Sequence, residues 1–462
     1  MKIRNLLVII FFFSSVFLST IIINNNDKYE ISSDIRSNHT LIKSDILRFW
    51  SEAHNIKKNL ENGAPVYKLG GYYYSSFLPA KTIALYYILI SEDLFLENEY
   101  NADGKLKVKS NNNKNLFVYL QILIFFISIL TLYNVAKKRI GNVAKIILFF
   151  LLIEPTIHQF NYSFHSESIF FSLSIFLLSA VIKSSNRKST AFLIGILVGI
   201  LYLQRSIAIF YFIPIMFFFF LEKKTLRFFI SYIGGIFLIL LFLGTHNYLR
   251  AGVIYVTPYQ SKIDLYLYFI PNILQQKDEE TSQKELSLID NKIKLFKRNK
   301  NLDLSLEKDK ILYGNFIRNL SINYIIKNPI ESTKVIIKKS IHSINFNPFE
   351  IYSFYKYEYR ATDYNLRYYK SSEHQKFLIY RTIYSLSIYL ICLLGFFTML
   401  KKKELFNIQI LLLLSILYYV VLAGWHGNPR YLSTNMIFLS IFFGFGFLRL
   451  KEITIKNIKK II

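Results

Sequence analysis

The stretch 116–135, LFVYLQILIFFISILTLYNV, runs almost directly into Lys137-Lys138-Arg139, and its reading decides the architecture. A helix rises about 1.5 Å per residue, so these twenty residues match a hydrocarbon core roughly 30 Å thick. None of the twenty is ionised, and the cations that follow are what ends a span on the side that keeps positive charge. Eight further apolar blocks lie at 6–23, 146–157, 164–182, 191–221, 228–245, 377–400, 405–425 and 431–448. Block 191–221 is too long for one crossing and is interrupted by Gln204-Arg205, so it is split into two short spans with Arg205 near the turn. Block 146–157 is short and bracketed by Lys145 and Glu154, which requires a tilted or partly buried helix. The N-terminal block follows Lys2 and Arg4 and ends in three asparagines with no small-residue cleavage site; it reads as an uncleaved first span. The expectation is an all-α, polytopic membrane protein of about ten transmembrane helices, a single integral-membrane domain over 1–462.

Charge sets the orientation. Lys137–Arg139 with Lys145, Lys183 with Arg187 and Lys188, Lys223 with Lys224 and Arg227, and Lys401–Lys403 fall in one set of short loops. The opposite short loops hold only Arg205 and Arg430. By the positive-inside rule the first set is cytoplasmic, with both termini and the basic tail 450–462. Segments 24–115 and 246–376 are then large loops outside a cell membrane. The first holds a moderately apolar stretch, 72–90, whose tyrosine start, internal Pro79 and Lys81 suit an interfacial or re-entrant helix. The second holds a charged stretch, 277–310, and an amphipathic one, 311–344, broken at Asn328-Pro329.

Composition excludes several classes. The net charge of +26 invites a nucleic-acid reading, but most of the excess sits at proposed cytoplasmic loops and ends, where it anchors the chain to an anionic leaflet; no nucleic-acid partner is expected. One cysteine, Cys392, leaves no disulfide framework and no cysteine-based zinc site. There is no phosphate-cradling glycine loop, dinucleotide fingerprint or serine-hydrolase elbow.

The remaining signal is where ionisable residues lie. Such groups are costly near a bilayer and are usually paired or functional. They gather, with two polar asparagines, at the proposed outer ends: Glu154, His158, His165 and Glu167 around one turn, Arg205 at the next, His246, Asn247 and Arg250 after the seventh span, and His426, Asn428 and Arg430 at the last. Asp45, Arg48 and Glu52 share one face of a helix by their i, i+3, i+7 spacing. A carboxylate there could act as a general base, and a solvated ion-pair face competes with that reading. Arg205, Arg250 and Arg430 come from three outer turns, and convergent guanidinium forks suit a phosphate group; snorkelling to headgroups is the rival reading. His158 and His165 lack the i, i+4 spacing of a helical zinc pair, which favours a structural role.

In order and topology the chain resembles the GT-C integral-membrane glycosyltransferases, and is closest to family 39, the polyprenyl-phosphate-sugar-dependent group. The resemblance is carried by Ser44-Asp45-Ile46-Leu47-Arg48-Phe49-Trp50-Ser51-Glu52-Ala53, by Tyr74-Ser75-Ser76-Phe77-Leu78-Pro79-Ala80, and by Glu154-Pro155 followed by Ser166-Glu167-Ser168. It continues in the glycine-rich 195–205 ending in Arg205, in His246-Asn247-Tyr248-Leu249-Arg250-Ala251-Gly252, and in Asn428-Pro429-Arg430-Tyr431. Two stretches depart from the family pattern: Asp45 is followed by Ile46 instead of an Asp-Glu or Asp-x-Asp signature, and Arg-Asn is altered to His246-Asn247. The resemblance implies transfer of a sugar from a polyprenyl-phosphate donor to a lipid, glycan or protein acceptor outside the membrane. Asp45 would be the general base, Arg205, Arg250 and Arg430 would bind the donor phosphate, and Glu52, Glu167 and His165 would position acceptor, sugar or a divalent cation. Metal use stays open. Two other functions compete: a surface-polysaccharide polymerase or ligase using undecaprenyl-pyrophosphate glycans, and a non-enzymatic lipid or solute transporter. The transporter reading lacks the internal repeat and midplane polar groups that such proteins carry.

Overall fold

A computed structural model describes residues 3–28, 41–65, 77–90, 95–100, 106–108, 113–161, 166–344, 372–426 and 429–461. The fold is all-α, apart from one small antiparallel hairpin, β1 (Phe95–Tyr100) with β2 (Leu106–Val108), which the sequence pattern did not announce. The helices in chain order are α1 (Ile3–Lys28), α2 (Leu41–Glu61), α3 (Leu78–Leu89), α4 (Asn113–Ile140), α5 (Val143–Ile153), α6 (Pro155–Asn161), α7 (Ser166–Ile182) and α8 (Lys188–Gln204). They continue with α9 (Phe212–Leu221), α10 (Leu226–Ala251), α11 (Tyr259–Asp264), α12 (Ile270–Leu274), α13 (Glu279–Asn299), α14 (Glu307–Lys327) and α15 (Pro329–Ile344). The last three are α16 (Ser372–Leu400), α17 (Phe406–His426) and α18 (Asn435–Ile461).

Among the described residues, four helical stretches are long and apolar enough to cross a membrane: Leu116–Ile140, Leu226–Ala251, Thr382–Leu400 and Lys403–Leu422. Six shorter apolar helices accompany them, so the all-α membrane character is met, while the described residues hold four helices of spanning length against the about ten expected. The breaks fall where the sequence weakens. Glu154 is extended and precedes Pro155, which separates α5 from α6. Arg205 is extended after α8, and a 3₁₀ turn at Ser206–Ala208 leads toward α9, so block 191–221 is two helices as expected. α3 has twelve residues, roughly 18 Å of rise, too short to span. Pro79 lies in its first turn, not its centre, where its missing N–H costs nothing.

Packing is closest where glycines face each other. A Cβ on Gly195 of α8 would collide with the Tyr232 carbonyl of α10, and one on Gly235 with the Phe192 carbonyl. Gly395 of α16 and Gly446 of α18 meet the carbonyls of Phe442 and Ile391 in the same way. Small residues let the backbones approach, as membrane helices require. Aromatic side chains fill the centre, with Phe125, Phe170, Phe171, Tyr419 and Phe438 fully buried. The middle of α10, residues 233–244, is apolar all round, yet only 22% of the helix's most apolar window is covered by protein, which leaves the rest for lipid.

Helices α11 to α15 form a cap with its own two small cores. Ile270, Leu274, Ile289, Ile293 and Ile317 make one; Leu265, Phe269, Ile273 and Val335 make the other. Asp278 caps α13 by accepting from the Thr281 amide at 2.8 Å, with acids in the first turn and bases in the last, which suits the helix dipole. α14 stops at Lys327 and α15 opens on Pro329, the break read from Asn328-Pro329. α15 docks on α17, with Ser340 Oγ donating to the Val420 carbonyl at 3.1 Å.

Candidate functional site

The C-terminal turn of α10 organises the main polar cluster. Gly252 adopts φ 69°, a left-handed conformation suited to glycine, and ends the helix with its N–H on the Tyr248 carbonyl at 2.7 Å. The chain then doubles back, held by Asn247 Nδ2 on the Tyr255 carbonyl at 2.7 Å and by Tyr202 Oη on the Val256 carbonyl. This return brings Tyr255 beside Arg250. The Arg250 fork grips Glu307, the first residue of α14: Nη1 donates to Oε2 at 2.6 Å and Nη2 to Oε1. Tyr255 Oη accepts from Arg250 and donates to Glu307.

α3 supplies the other side. Phe77 stands edge-on to His246 at 5.1 Å between centroids, and the Lys81 ammonium lies 3.9 Å above the Phe77 ring. Lys81 Nζ is buried and makes no hydrogen bond among the described residues. Burial pulls its pKa down to about 8; Glu52 of α2 opposes that fall, and Arg250 adds to it. Three helices that are distant in sequence thus bring Glu52, Lys81, His246 and Arg250 to one end of the bundle. Glu52 and Arg250 were expected there. Lys81 was read only as a headgroup-region lysine, and Tyr255 and Glu307 were not singled out. A lysine inside the apolar run of α3 was the available signal for Lys81.

A second pair lies at the end of α8. Arg205 forms an ion pair with Glu167 at the start of α7, with only 10% and 3% of the two side chains exposed. Gln204 Nε2 donates to the Ser166 carbonyl at 3.0 Å, and the Arg205 guanidinium lies 5.8 Å from the Phe170 ring centre. Tyr202 and Ser206, which flank this corner, reach the return segment after α10; Ser206 Oγ is 3.1 Å from Ser261 Oγ. Both arginines therefore sit at the same end of the bundle, each engaged by its own carboxylate.

Glu154 is buried and satisfied. It accepts from the Thr156 amide at 3.1 Å, from the Thr156 hydroxyl, and from Tyr384 Oη of α16 at 2.5 Å. His158 Nε2 lies 3.2 Å from the Leu151 carbonyl and its ring meets Phe125 edge-on, the structural role expected for it. Residues 41–61 are one helix, so positions 45, 48 and 52 share a face. The side chains of Asp45 and Arg430 and the whole of His165 lie outside the described residues. Among the described residues, no group of three or more His, Cys, Asp or Glu is placed to hold a metal ion.

The fold and this end-on polar cluster define a class: a helical, multi-pass membrane protein whose ionisable groups collect at one end of its bundle. Residues 104–248 match the family described as dolichyl-phosphate-mannose-protein mannosyltransferase, which bears out the resemblance to GT-C membrane glycosyltransferases. The matched region takes in β2, α4 to α9 and α10 as far as residue 248, with Glu167, Arg205 and His246 inside it and Arg250 beyond it. No curated protein matches the chain. Among solved structures it is similar to the archaeal oligosaccharyltransferase AglB from Archaeoglobus fulgidus, determined with an inhibitory peptide and a dolichol-phosphate, at 11% identity and a TM-score of 0.47. That likeness covers 100% of this chain and 52% of the other, so the chain spans about half the length of that relative.

Proposed function

We propose that the protein transfers a sugar from a polyprenyl-phosphate donor to a lipid, glycan or protein acceptor on the outer face of a cell membrane. The observation that carries this reading is the packing of α3 on the end of α10 through Phe77 and His246, which puts Lys81 within electrostatic reach of Arg250 and Glu52 at one end of the bundle. The reaction breaks the bond between the anomeric carbon and the phosphate oxygen, and an acceptor hydroxyl forms the new bond from the opposite face. The leaving polyprenyl phosphate gains negative charge in that step. Fixed cations stabilise it more as the bond breaks than before, which is what lowers a barrier. Lys81 and Arg250 take that role, and Arg205 and Arg430 extend it. Glu307 now fills the Arg250 fork, so phosphate binding at that fork requires Glu307 to swing away.

Asp45 receives the acceptor proton as general base. Glu52, one face and two turns along the same helix, orients acceptor or sugar together with Glu167 and His165. The positive-inside asymmetry of the short loops supports placing this end of the bundle outside. The test is transfer of a radiolabelled sugar from a synthetic polyprenyl-phosphate donor by the purified protein in liposomes. Asp45→Asn is expected to abolish transfer while donor binding and membrane insertion persist; full activity of that variant refutes the assignment.

A further inference from the structure

The cap holds a second, unexplained concentration of positive charge. Lys262 on α11 is 2% exposed. Its side chain crosses α14 over Gly314, with Cδ 3.3 Å from where a Cβ on that glycine would stand. Arg318 follows Gly314 by one turn on the same face of α14. The two cations are close enough that Arg318, after burial itself, pulls the Lys262 pKa down, to about 8. Arg318 Nε is buried without a hydrogen bond. No carboxylate pairs with either side chain among the described residues. Glu307 is committed to Arg250, and Asp264 accepts from Gln260 Nε2 on its own helix at 2.6 Å. The Lys262 ammonium lies 5.6 Å from the centre of the Tyr255 ring, on whose far end Arg250 and Glu307 lie.

Lys262 is buried and Arg318 half-buried beside it, and like charges held this close are unfavourable until an anion joins them. We infer that Lys262 and Arg318 form an anion site between α11 and α14 for a phosphate or phosphodiester group, separate from the Lys81–Arg250 cluster. The planar Arg318 fork offers paired N–H donors to two phosphate oxygens, and Lys262 adds a point charge. A soluble phosphate and a phospholipid headgroup present the same chemistry. The site stands on the cap alone and does not depend on the glycosyltransferase reading.

The test is thermal unfolding of the purified full chain, first in uncharged detergent with inorganic phosphate against chloride at matched ionic strength. The second arm uses nanodiscs of phosphatidylglycerol against phosphatidylcholine. Phosphate is expected to raise the melting temperature. A rise with phosphatidylglycerol as well assigns the site to a headgroup, and a rise with phosphate alone assigns it to a soluble ligand. Lys262→Met and Arg318→Leu are each expected to raise the melting temperature of the ligand-free protein, by relieving the repulsion. Each is also expected to increase the half-effective phosphate concentration by about tenfold or more, as loss of a charged contact does. Lys262→Arg keeps the phosphate response, as does Lys81→Met, which separates this site from the proposed donor site. The inference is overturned if neither anion source shifts the wild-type protein, if the response survives in both Lys262→Met and Arg318→Leu, or if both variants melt below wild type without ligand.

Discussion

Removing Arg205 tests whether its pairing with Glu167 is a structural clamp alone or also serves chemistry. In Arg205→Met the Glu167 carboxylate stays at 3% side-chain exposure with its cation gone. Breaking a buried pair from one side costs about 3–5 kcal/mol, because the remaining charge is left uncompensated. The Gln204 bond to the Ser166 carbonyl and the packing of α7 on α8 persist, so the loss is local. In the double variant Arg205→Met, Glu167→Met no charge is left behind. Apolar replacement of a buried pair is typically neutral or stabilising, so stability returns to within about 1 kcal/mol of wild type. The assay is an unfolding titration in mixed micelles for all four corners of the cycle, with sugar transfer measured on the same preparations. If Arg205 contributes to phosphate binding, the double variant recovers stability and not transfer. A single-variant cost under about 1 kcal/mol would show that water screens the pair, and would refute the buried-clamp reasoning. Full transfer by the double variant would remove Arg205 from the donor site.

Three further outcomes follow from the same geometry. The folded pKa of Lys81 is lowered to about 8 from the ordinary 10.5, so between those values the unfolded chain binds a proton that the folded one does not, and stability rises with pH across that window. Donor affinity falls as pH rises through about 8, where the ammonium is lost; Lys81→Met removes both trends, as pH-dependent unfolding and KM measurements would reveal. Glu307→Gln weakens the grip on Arg250 and frees its fork for phosphate, so the donor KM falls while the cap becomes more protease-sensitive in limited digestion. Gly446→Val drives a side chain into the Ile391 carbonyl where α16 and α18 touch; overpacking costs about 1–3 kcal/mol or more, read as a lower melting temperature in detergent.

Helix type and most helix breaks were legible because they depend on local features. Runs of apolar residues, prolines such as Pro155 and Pro329, and the Gln204-Arg205 interruption act within a turn or two of themselves. The charged stretch 277–310 holds α13 and the start of α14, and the cap and polarised ends of α13 are local features as well. Candidate residues were legible as far as cost allows: an ionisable group beside a bilayer stands out wherever its partner lies, and Glu167, Arg205 and Arg250 were found that way.

Partners were not legible, because pairing is a property of distance in space. Arg250 and Glu307 are separated by a whole excursion of chain, and nothing in either local sequence couples them. The Glu167–Arg205 pair needs α7 and α8 to lie side by side with their facing ends at the same depth. Lys81 looked like a headgroup anchor because its neighbours suit the interface; only the packing of Phe77 against His246 shows that its ammonium is buried, within electrostatic reach of Arg250. By itself the sequence determined an all-α membrane chain with its costly charges at one end, since hydropathy and charge act on each segment independently. Tertiary structure decided which carboxylate holds which cation and, among the described residues, set Lys262 beside Arg318 without one, because burial and proximity arise only once distant helices share a face.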